Sequence, residues 1–300
     1  LISDLAVAAA LPVPVSYPRP FLKWAGGKSQ LLSQMTPFLP RRFRAYHEPF
    51  LGGGAVFWHL FHLRQQGKVS FQDGYLSDIN AELINCYLQV RDHLEELLAE
   101  LQRLRDSHCA ETYYRVRSLD PEALTPVQRA ARLIYLNKTC YNGLYRVNRQ
   151  GRFNVPMGRY RNPRIFDADR LRQNSHALRN ISITCRDFRT VLDWAQPGDF
   201  IYLDPPDVPL SPTANFTSYA AAGFGEAEQR ELAALFRELH RRGCYVMLSN
   251  SWCAFTLALY GDFPCIELKA ARAINSKAED RGQVSELLVC NYSRPAPVAS

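Results

Sequence analysis

The chain has 300 residues, 47% of them hydrophobic, with a net charge of +7 and a pI near 9.0. That length and apolar content support a large core in one or two domains, and no run of about 18 apolar residues offers a membrane-spanning helix. The excess charge is local: residues 138–179 hold ten Lys and Arg against two Asp, which leaves the remainder close to neutral. An Arg-dominated stretch interleaved with Tyr points to a polyanionic partner.

Residues 1–18 are small, apolar and proline-rich, with no Lys or Arg ahead of the apolar stretch. They read as a disordered lead-in rather than a secretory signal. Residues 44–48 predict a strand, followed by a glycine turn and a helix from about Ala55. A second strand region over 69–77 ends at Asp78. Residues 81–105 predict one long amphipathic helix, with Leu83, Tyr87, Val90, Leu94, Leu97, Leu98 and Leu101 near one face. The stretch 111–138 is mostly helical, interrupted at Pro121 and Pro126. Asn, Gly, Tyr and Arg then dominate 140–160, where Asn148-Arg149-Gln150-Gly151 fits a hairpin turn. Strands follow at 181–185 and 200–203, a helix at 226–242 and a buried strand at 245–249. Residues 265–269 and 286–291 predict a closing antiparallel pair. Alternating strands and helices, with no internal repeat, argue for an α/β sheet interrupted by an insert.

Eight cysteines are scattered without the close spacing of a zinc or redox motif. They read as buried, reduced thiols of a cytosolic protein, and no metal is expected.

Two motifs carry chemistry. In His47-Glu48-Pro49-Phe50-Leu51-Gly52-Gly53-Gly54-Ala55-Val56-Phe57, glycines between strand and helix let backbone approach a ligand at a helix N-terminus. Asp78 ends the next strand, where a carboxylate can accept hydrogen bonds from a ribose. Together they imply a nucleoside cofactor, and the contiguous glycines depart from the dinucleotide spacing G-x-G-x-x-G. The second motif, Tyr202-Leu203-Asp204-Pro205-Pro206, follows an apolar strand, so its carboxylate opens onto the mouth of the sheet. Prolines have no N–H. Asp204 and the Pro205 carbonyl therefore make a pair of acceptors suited to one exocyclic amino group.

As an ordered set, these motifs resemble the Dam-type, alpha-class DNA adenine N6-methyltransferases, which carry Asp-Pro-Pro-Tyr. Phe21-Leu22-Lys23-Trp24-Ala25-Gly26-Gly27-Lys28 is similar to the family's N-terminal cofactor motif, and Ser77-Asp78-Ile79-Asn80 to its acidic motif. Tyr141-Asn142-Gly143-Leu144-Tyr145-Arg146 and Phe153-Asn154-Val155-Pro156-Met157-Gly158-Arg159-Tyr160 resemble its recognition segment. Residues 211–219, Ser249-Asn250 and Arg272-Ala273-Ile274-Asn275 look like later blocks.

The resemblance implies an S-adenosylmethionine (AdoMet)-binding, Rossmann-like α/β sheet with an inserted helical and hairpin DNA-recognition domain. Residues 19–80 and 175–293 would form the catalytic domain, 81–174 the recognition domain and 294–300 a tail. It implies Asp204 and Pro205 as catalytic, with Trp24, Lys28, Phe50, Asp78 and Asp204 around AdoMet. Lys23, Tyr141, Asn142, Arg146, Asn148, Pro156 and Tyr160 would meet DNA, Arg146 reading a guanine edge. It further implies a monomer acting on GATC in double-stranded DNA, cytoplasmic and nucleoid-associated, with no membrane or metal partner.

One position departs. The family has an aromatic residue after Asp-Pro-Pro, and this chain has Asp207. That residue leaves three readings: reduced methylation, a deliberate change, or compensation by Phe216 or Tyr219. The rival function is a catalytically impaired DNA- and AdoMet-binding protein. Cytosine N4 methylation is disfavoured because Asp, not Ser, stands at 204, and an Arg-rich segment also suits RNA.

Overall fold

The computed structural model describes residues 17–208, 224–271 and 283–294. The elements run α1 (Leu32–Met35), β1 (Ala45–Glu48), α2 (Ala55–Gln65), β2 (Asp73–Asp78), α3 (Ala81–Asp92), α4 (Leu94–Asp106), α5 (Ala110–Ser118) and α6 (Pro126–Thr139). They continue with α7 (Ala168–Leu178), β3 (Ile181–Cys185), α8 (Val191–Trp194), β4 (Phe200–Leu203), α9 (Glu226–Arg241), β5 (Tyr245–Ser251), α10 (Ala254–Tyr260), β6 (Cys265–Ala271) and β7 (Gln283–Cys290). No helix among the described residues is long and apolar enough to cross a membrane.

The strands form one seven-stranded sheet, ordered β3-β2-β1-β4-β5-β7-β6. All pairs are parallel except β5 with β7 and β6 with β7. Central strands are apolar on both faces because both are covered. Phe200 and Tyr202 of β4 join the core that holds Val56, Phe57 and Leu60 of α2 and Leu83 and Val90 of α3. Ile201 and Leu203 point the other way, into the core with Leu232, Phe236 and Leu239 of α9. From β1 the chain moves outward to β2 and β3, then returns to place β4 on the other side of β1. The C-terminal ends of β1 and β4 thus flank the point where strand order reverses, which is where open α/β sheets bind ligands.

Several helix starts follow their sequence signals. Asn80 caps α3 by accepting from the Leu83 N–H at 3.0 Å, and Asp167 caps α7 by accepting from the Arg170 N–H at 3.1 Å. Thr125 and Gln128 make a reciprocal capping box with Pro126 at the first helical position. The single helix expected over 81–105 is two helices. His93, at φ −135° and ψ 41°, breaks it between α3 and α4. The bend lets Leu83, Ile84 and Val90 on one side and Leu97, Leu98 and Leu101 on the other reach one core with Leu133 and Ile134 of α6. Packing decides it, since neither Gly nor Pro marks the site.

After α6 the chain forms a hairpin with a small core of its own, built from Tyr113, Tyr135, Leu136, Cys140, Phe153, Val155 and Ile165. Val147 and Phe153 pair antiparallel across the expected turn, and Gly151 supplies φ +73°. All eight cysteines are free, but only Cys86, Cys140, Cys244 and Cys290 are buried, while Cys109 and Cys185 are exposed. Phe216, Tyr219 and residues 272–275 lie outside the described residues, as do 1–16 and 295–300.

One buried charge anchors the sheet below the crevice. Asp199, fully buried, accepts from His47 Nε2 at 2.9 Å, from Arg44 Nη2 at 2.8 Å and from the Gln196 N–H at 2.9 Å. Burial alone would raise its carboxyl; the bonds from His47, Gln196 and Arg44 outweigh that and hold it below the usual carboxylate range. A lowered pKa in the fold means that this stability is present above the unfolded value and fades as pH falls. Asp199→Ala leaves His47 unpaired in the interior and should cost about 3 kcal/mol. Urea unfolding at neutral pH checks it: an unchanged midpoint would show that the site contributes nothing.

Candidate active site and nucleic-acid interface

A cavity of about 410 Å³ opens at the crevice between β1 and β4. That volume falls in the range of small-molecule sites, ~300–1,000 Å³. Its wall is drawn from four parts of the chain. The 22–29 segment supplies Lys23, Trp24 and Lys28; the loop after β1 supplies Glu48, Phe50 and Gly52 to Gly54. Asp78 comes from the end of β2, and Tyr202, Asp204, Pro205, Pro206 and Asp207 from β4 and its loop. Every expected cofactor residue therefore lines one cavity, together with both expected catalytic residues.

The glycine loop is pinned from below. The Gly52 N–H donates to Asp78 Oδ2 at 3.0 Å, and Tyr87 O–H donates to the Gly52 carbonyl at 3.1 Å. Gly54 has φ +66°, and a Cβ there would sit 2.8 Å from the Tyr87 hydroxyl. The turn therefore needs glycine for both conformation and space. Asp78 also accepts from the Asn80 N–H at 3.0 Å. Phe50 stacks on Phe188, with ring centroids 5.2 Å apart.

Charge sets the character of the cavity. Lys28 is buried, and its Nζ donates to the Gly26 carbonyl at 2.9 Å and pairs with Asp204 Oδ1 at 2.9 Å. Burial alone would lower the lysine; the carboxylates of Asp204, Asp207 and Glu286 outweigh it and hold the ammonium well above its ordinary value. Asp204 is pushed up to about 6 by burial, against the pull of Lys28. Glu286, on β7, is pushed up to about 7, again mainly by burial. Glu48 is fully buried and raised well above the usual carboxylate range by burial, while a hydrogen bond from Tyr46 O–H at 2.8 Å pulls the other way. Glu48, Asp78 and Asp204 share one wall with a single buried cation, and a positively charged ligand would favour the ionised form of each carboxyl. Sequence reasoning quoted Glu48 in its motif but gave it no role. Its signal was a carboxylate inside a four-residue strand that is buried throughout.

The recognition residues form a second group, on the hairpin. Tyr141 is exposed, and its N–H bonds the Pro156 carbonyl at 2.9 Å, so the two are neighbours. Asn142 has φ +54°. Arg146 is exposed, with Nε held by Asn154 Oδ1 at 2.7 Å, which fixes the direction of its guanidinium. Asn148 departs from a purely nucleic-acid role: its Oδ1 accepts from the N–H groups of Gln150 and Arg152 at 2.9 and 3.0 Å and shapes the turn. Lys23 joins the two groups, since it lines the cavity and sets its ammonium 5.3 Å from the centre of the Tyr160 ring.

The hairpin is bolted to the cavity wall. Fully buried Asn137 accepts from the Lys23 N–H at 2.8 Å and donates to the Lys23 carbonyl at 2.7 Å and the Gly143 carbonyl at 3.2 Å. Trp24 stacks on Tyr145 at 5.0 Å. The cavity fixes where a nucleoside ligand would lie, and the hairpin stands beside its mouth.

Comparison with known proteins agrees with this geometry. A model of the D12 class N6 adenine-specific DNA methyltransferases matches residues 24–274. The chain is 44% identical over 291 residues to the Type II methyltransferase M.MjaIII of Methanocaldococcus jannaschii, covering 91% of this chain and 99% of that one. It is 41% identical over 280 residues to the Type II methyltransferase M1.LlaDCHI of Lactococcus lactis subsp. cremoris, covering 91% and 95%. With the DNA adenine methylase of Escherichia coli K12 it shares 35% identity over 272 residues, covering 90% and 94%.

Lys28→Met removes the cation from this cluster while keeping most of the side-chain volume. The Asp204 carboxyl should then titrate above its present value of about 6. Carbon-13 NMR of labelled aspartate checks this. A midpoint unmoved by the substitution would show that the pair is not electrostatically coupled.

Proposed function

We propose that this chain, which belongs to the D12 class of N6 adenine-specific DNA methyltransferases, moves the methyl group of AdoMet to adenine N6 within GATC in double-stranded DNA. AdoMet dependence and adenine as the acceptor come with the family. The target sequence and the residue roles are the further reading. One observation carries it: a single cavity joins the glycine loop and Asp78 to Asp204-Pro205-Pro206. The residues fit a sulfonium nucleoside. The glycine loop brings main chain directly to the cavity, and the wall is rich in carboxylates. Trp24, Lys28, Phe50, Asp78 and Asp204 would shape that site, with Glu48 facing the cationic part.

AdoMet supplies an electrophilic methyl carbon on a positively charged sulfur. The protein's share is to present the nucleophile. The N6 lone pair of adenine is delocalised into the ring, so the amino group is a poor nucleophile as it stands. Asp204 and the Pro205 carbonyl accept its two hydrogens and favour a more tetrahedral nitrogen. Lys28 holds one Asp204 oxygen, and the carboxylate keeps lone pairs for an incoming N–H. Among the described residues no donor occupies the Pro205 carbonyl. With AdoMet bound there, its methyl carbon would accept the N6 lone pair, and the sulfonium sulfur would keep the electron pair of the bond that is broken. The surplus N6 proton, acidic at that stage, leaves through Asp204 to water. Positioning and a fixed electrostatic field do most of the work.

DNA would meet the hairpin, with residues 81–174 as the recognition domain on the catalytic parts 19–80 and 175–293. A target base inside a duplex must be flipped out to reach the cavity. Exposed Tyr141 and Asn142 at the hairpin's near edge suit entry into the duplex, and Lys23 and Tyr160 suit the mouth. Arg146 presents an oriented fork to a guanine O6/N7 edge, while Asn148 and Pro156 support the loop. GATC is supported by the resemblance of residues 141–160 to the recognition segment of GATC-acting members.

Asp207 lines the same cavity, exposed, where an aromatic residue would stack on a flipped base. Stacking is worth about 1–3 kcal/mol per base, and Asp207 adds negative charge beside Asp204. This position favours the second reading, a chain that binds AdoMet and DNA while turning over slowly.

Single-turnover incubation with GATC duplex and AdoMet, with N6-methyladenine measured by nucleoside mass spectrometry, separates the readings. Asp207→Tyr should raise the rate about 5- to 150-fold, the equivalent of about 1–3 kcal/mol; equal rates would show that Asp207 is not limiting. The rate should climb as pH passes about 6, where Asp204 ionises, and level off above. A rate that fell through that range would overturn Asp204 as an ionised acceptor. Arg146→Ala should narrow discrimination between GATC and AATC by about 1–3 kcal/mol; unchanged discrimination would remove Arg146 from base readout.

A further inference from the structure

Pro205 and Pro206 cannot anchor their loop through amide hydrogens, since neither has one. The loop must be held through carbonyls and side chains. Gln229, in the first turn of α9 and fully buried, donates from Nε2 to the Pro206 carbonyl at 3.0 Å. Its Oε1 accepts from Asn250 Nδ2 at 2.9 Å. Asn250, fully buried near the end of β5, uses its Oδ1 to accept from the Ser251 N–H at 2.8 Å. Both ends of this relay are main-chain groups: a carbonyl, which only accepts, and an N–H, which only donates. That fixes the direction of both amides. The carbonyl demands the Gln229 NH₂, the Gln229 oxygen then demands the Asn250 NH₂, and the Asn250 oxygen finds the N–H of Ser251.

We infer that Gln229, oriented by Asn250, is a positioning residue for methyl transfer: it fixes the Pro206 peptide and thereby aims the Asp204 carboxylate and the Pro205 carbonyl. This rests on the proposed reading of Asp204-Pro205-Pro206 as the acceptor pair. Gln229 does not line the cavity, so it acts on the amino group only through the loop. The loop is pinned at its start by Lys28 on Asp204 Oδ1 and further on by Ser251 Oγ, 3.3 Å from the Val208 carbonyl. Gln229 holds the middle, beside the two acceptors. The glycine loop and Asp78 keep their own supports, so Asp204 is the one residue of the cofactor site that this relay reaches.

Two variants test it, each in the natural chain and in Asp207→Tyr. Gln229→Leu removes the donor and should slow single-turnover methylation by ~10–100-fold, the scale of a misplacement of about 1 Å. AdoMet affinity by calorimetry should stay within two-fold. Gln229→Glu gives a sharper readout. Ionised, it can only accept and faces the Pro206 carbonyl with a repulsive oxygen. Protonated, it donates to Pro206 and accepts from Asn250, which restores the relay. The rate of Gln229→Glu relative to its Gln229 parent should therefore rise toward one as pH falls; taking the ratio cancels the titration of Asp204 and Glu286, which parent and variant share. Circular dichroism at each pH confirms the fold. A ratio that stays well below one at every pH, an unchanged rate in Gln229→Leu, or a loss matched by lost AdoMet affinity overturns the inference. Methyl transfer to adenine with any of those results sinks the positioning role alone. No methyl on adenine in any form sinks the underlying reading together with it.

Discussion

Buried negative charge at the strand ends is the constraint around which this molecule is arranged. β1, β2 and β4 each deliver a carboxylate, Glu48, Asp78 and Asp204, to one crevice. A carboxylate removed from water is costly unless paired or hydrogen-bonded. Each is met by a different device: a tyrosine hydroxyl for Glu48, two backbone amides for Asp78 and a buried ammonium for Asp204. The compensation stays partial, since burial still raises Glu48 and Asp204. A cationic ligand completes it. A positive nucleoside that favours the ionised carboxylates gains binding free energy from them.

Much of this was legible in the chain, for identifiable reasons. The strand at 200–203 is a short apolar run that ends at Asp-Pro-Pro, the strand at 181–185 alternates apolar and polar residues, and the ends of both agree with the structure. The glycine loop, Asp78 and Asp204 could be placed on one face because strand ends in a parallel sheet converge. His93 could not be read as a break, because the bend comes from two helix faces seeking one core. The short helices α1, α8 and α10, of four to seven residues, carry too little periodicity to be read from the sequence.

The site was legible as motifs but not as partnerships. No spacing rule connects Lys28 with Asp204, yet they are ion-paired. Gln229 left a faint mark, a polar residue three positions before Leu232 on the apolar stripe of an amphipathic helix. A polar side chain in such a stripe needs a buried partner, and only the fold shows that the partners are Pro206 and Asn250. Asn148 illustrates the reverse case. Its resemblance-based role lay outward, whereas its oxygen is turned inward on the hairpin backbone.

The clasp between the hairpin and the cavity wall has a consequence for modularity. Asn137 grips both peptide groups of Lys23, and a Cβ on Gly143 would overlap the Lys23 side chain. The hairpin and the cavity wall are thus built on a common surface. Chimeras that transplant a foreign specificity hairpin must carry residues 22–25 with it, because the graft junction is three-dimensional and does not coincide with any cut in the linear chain.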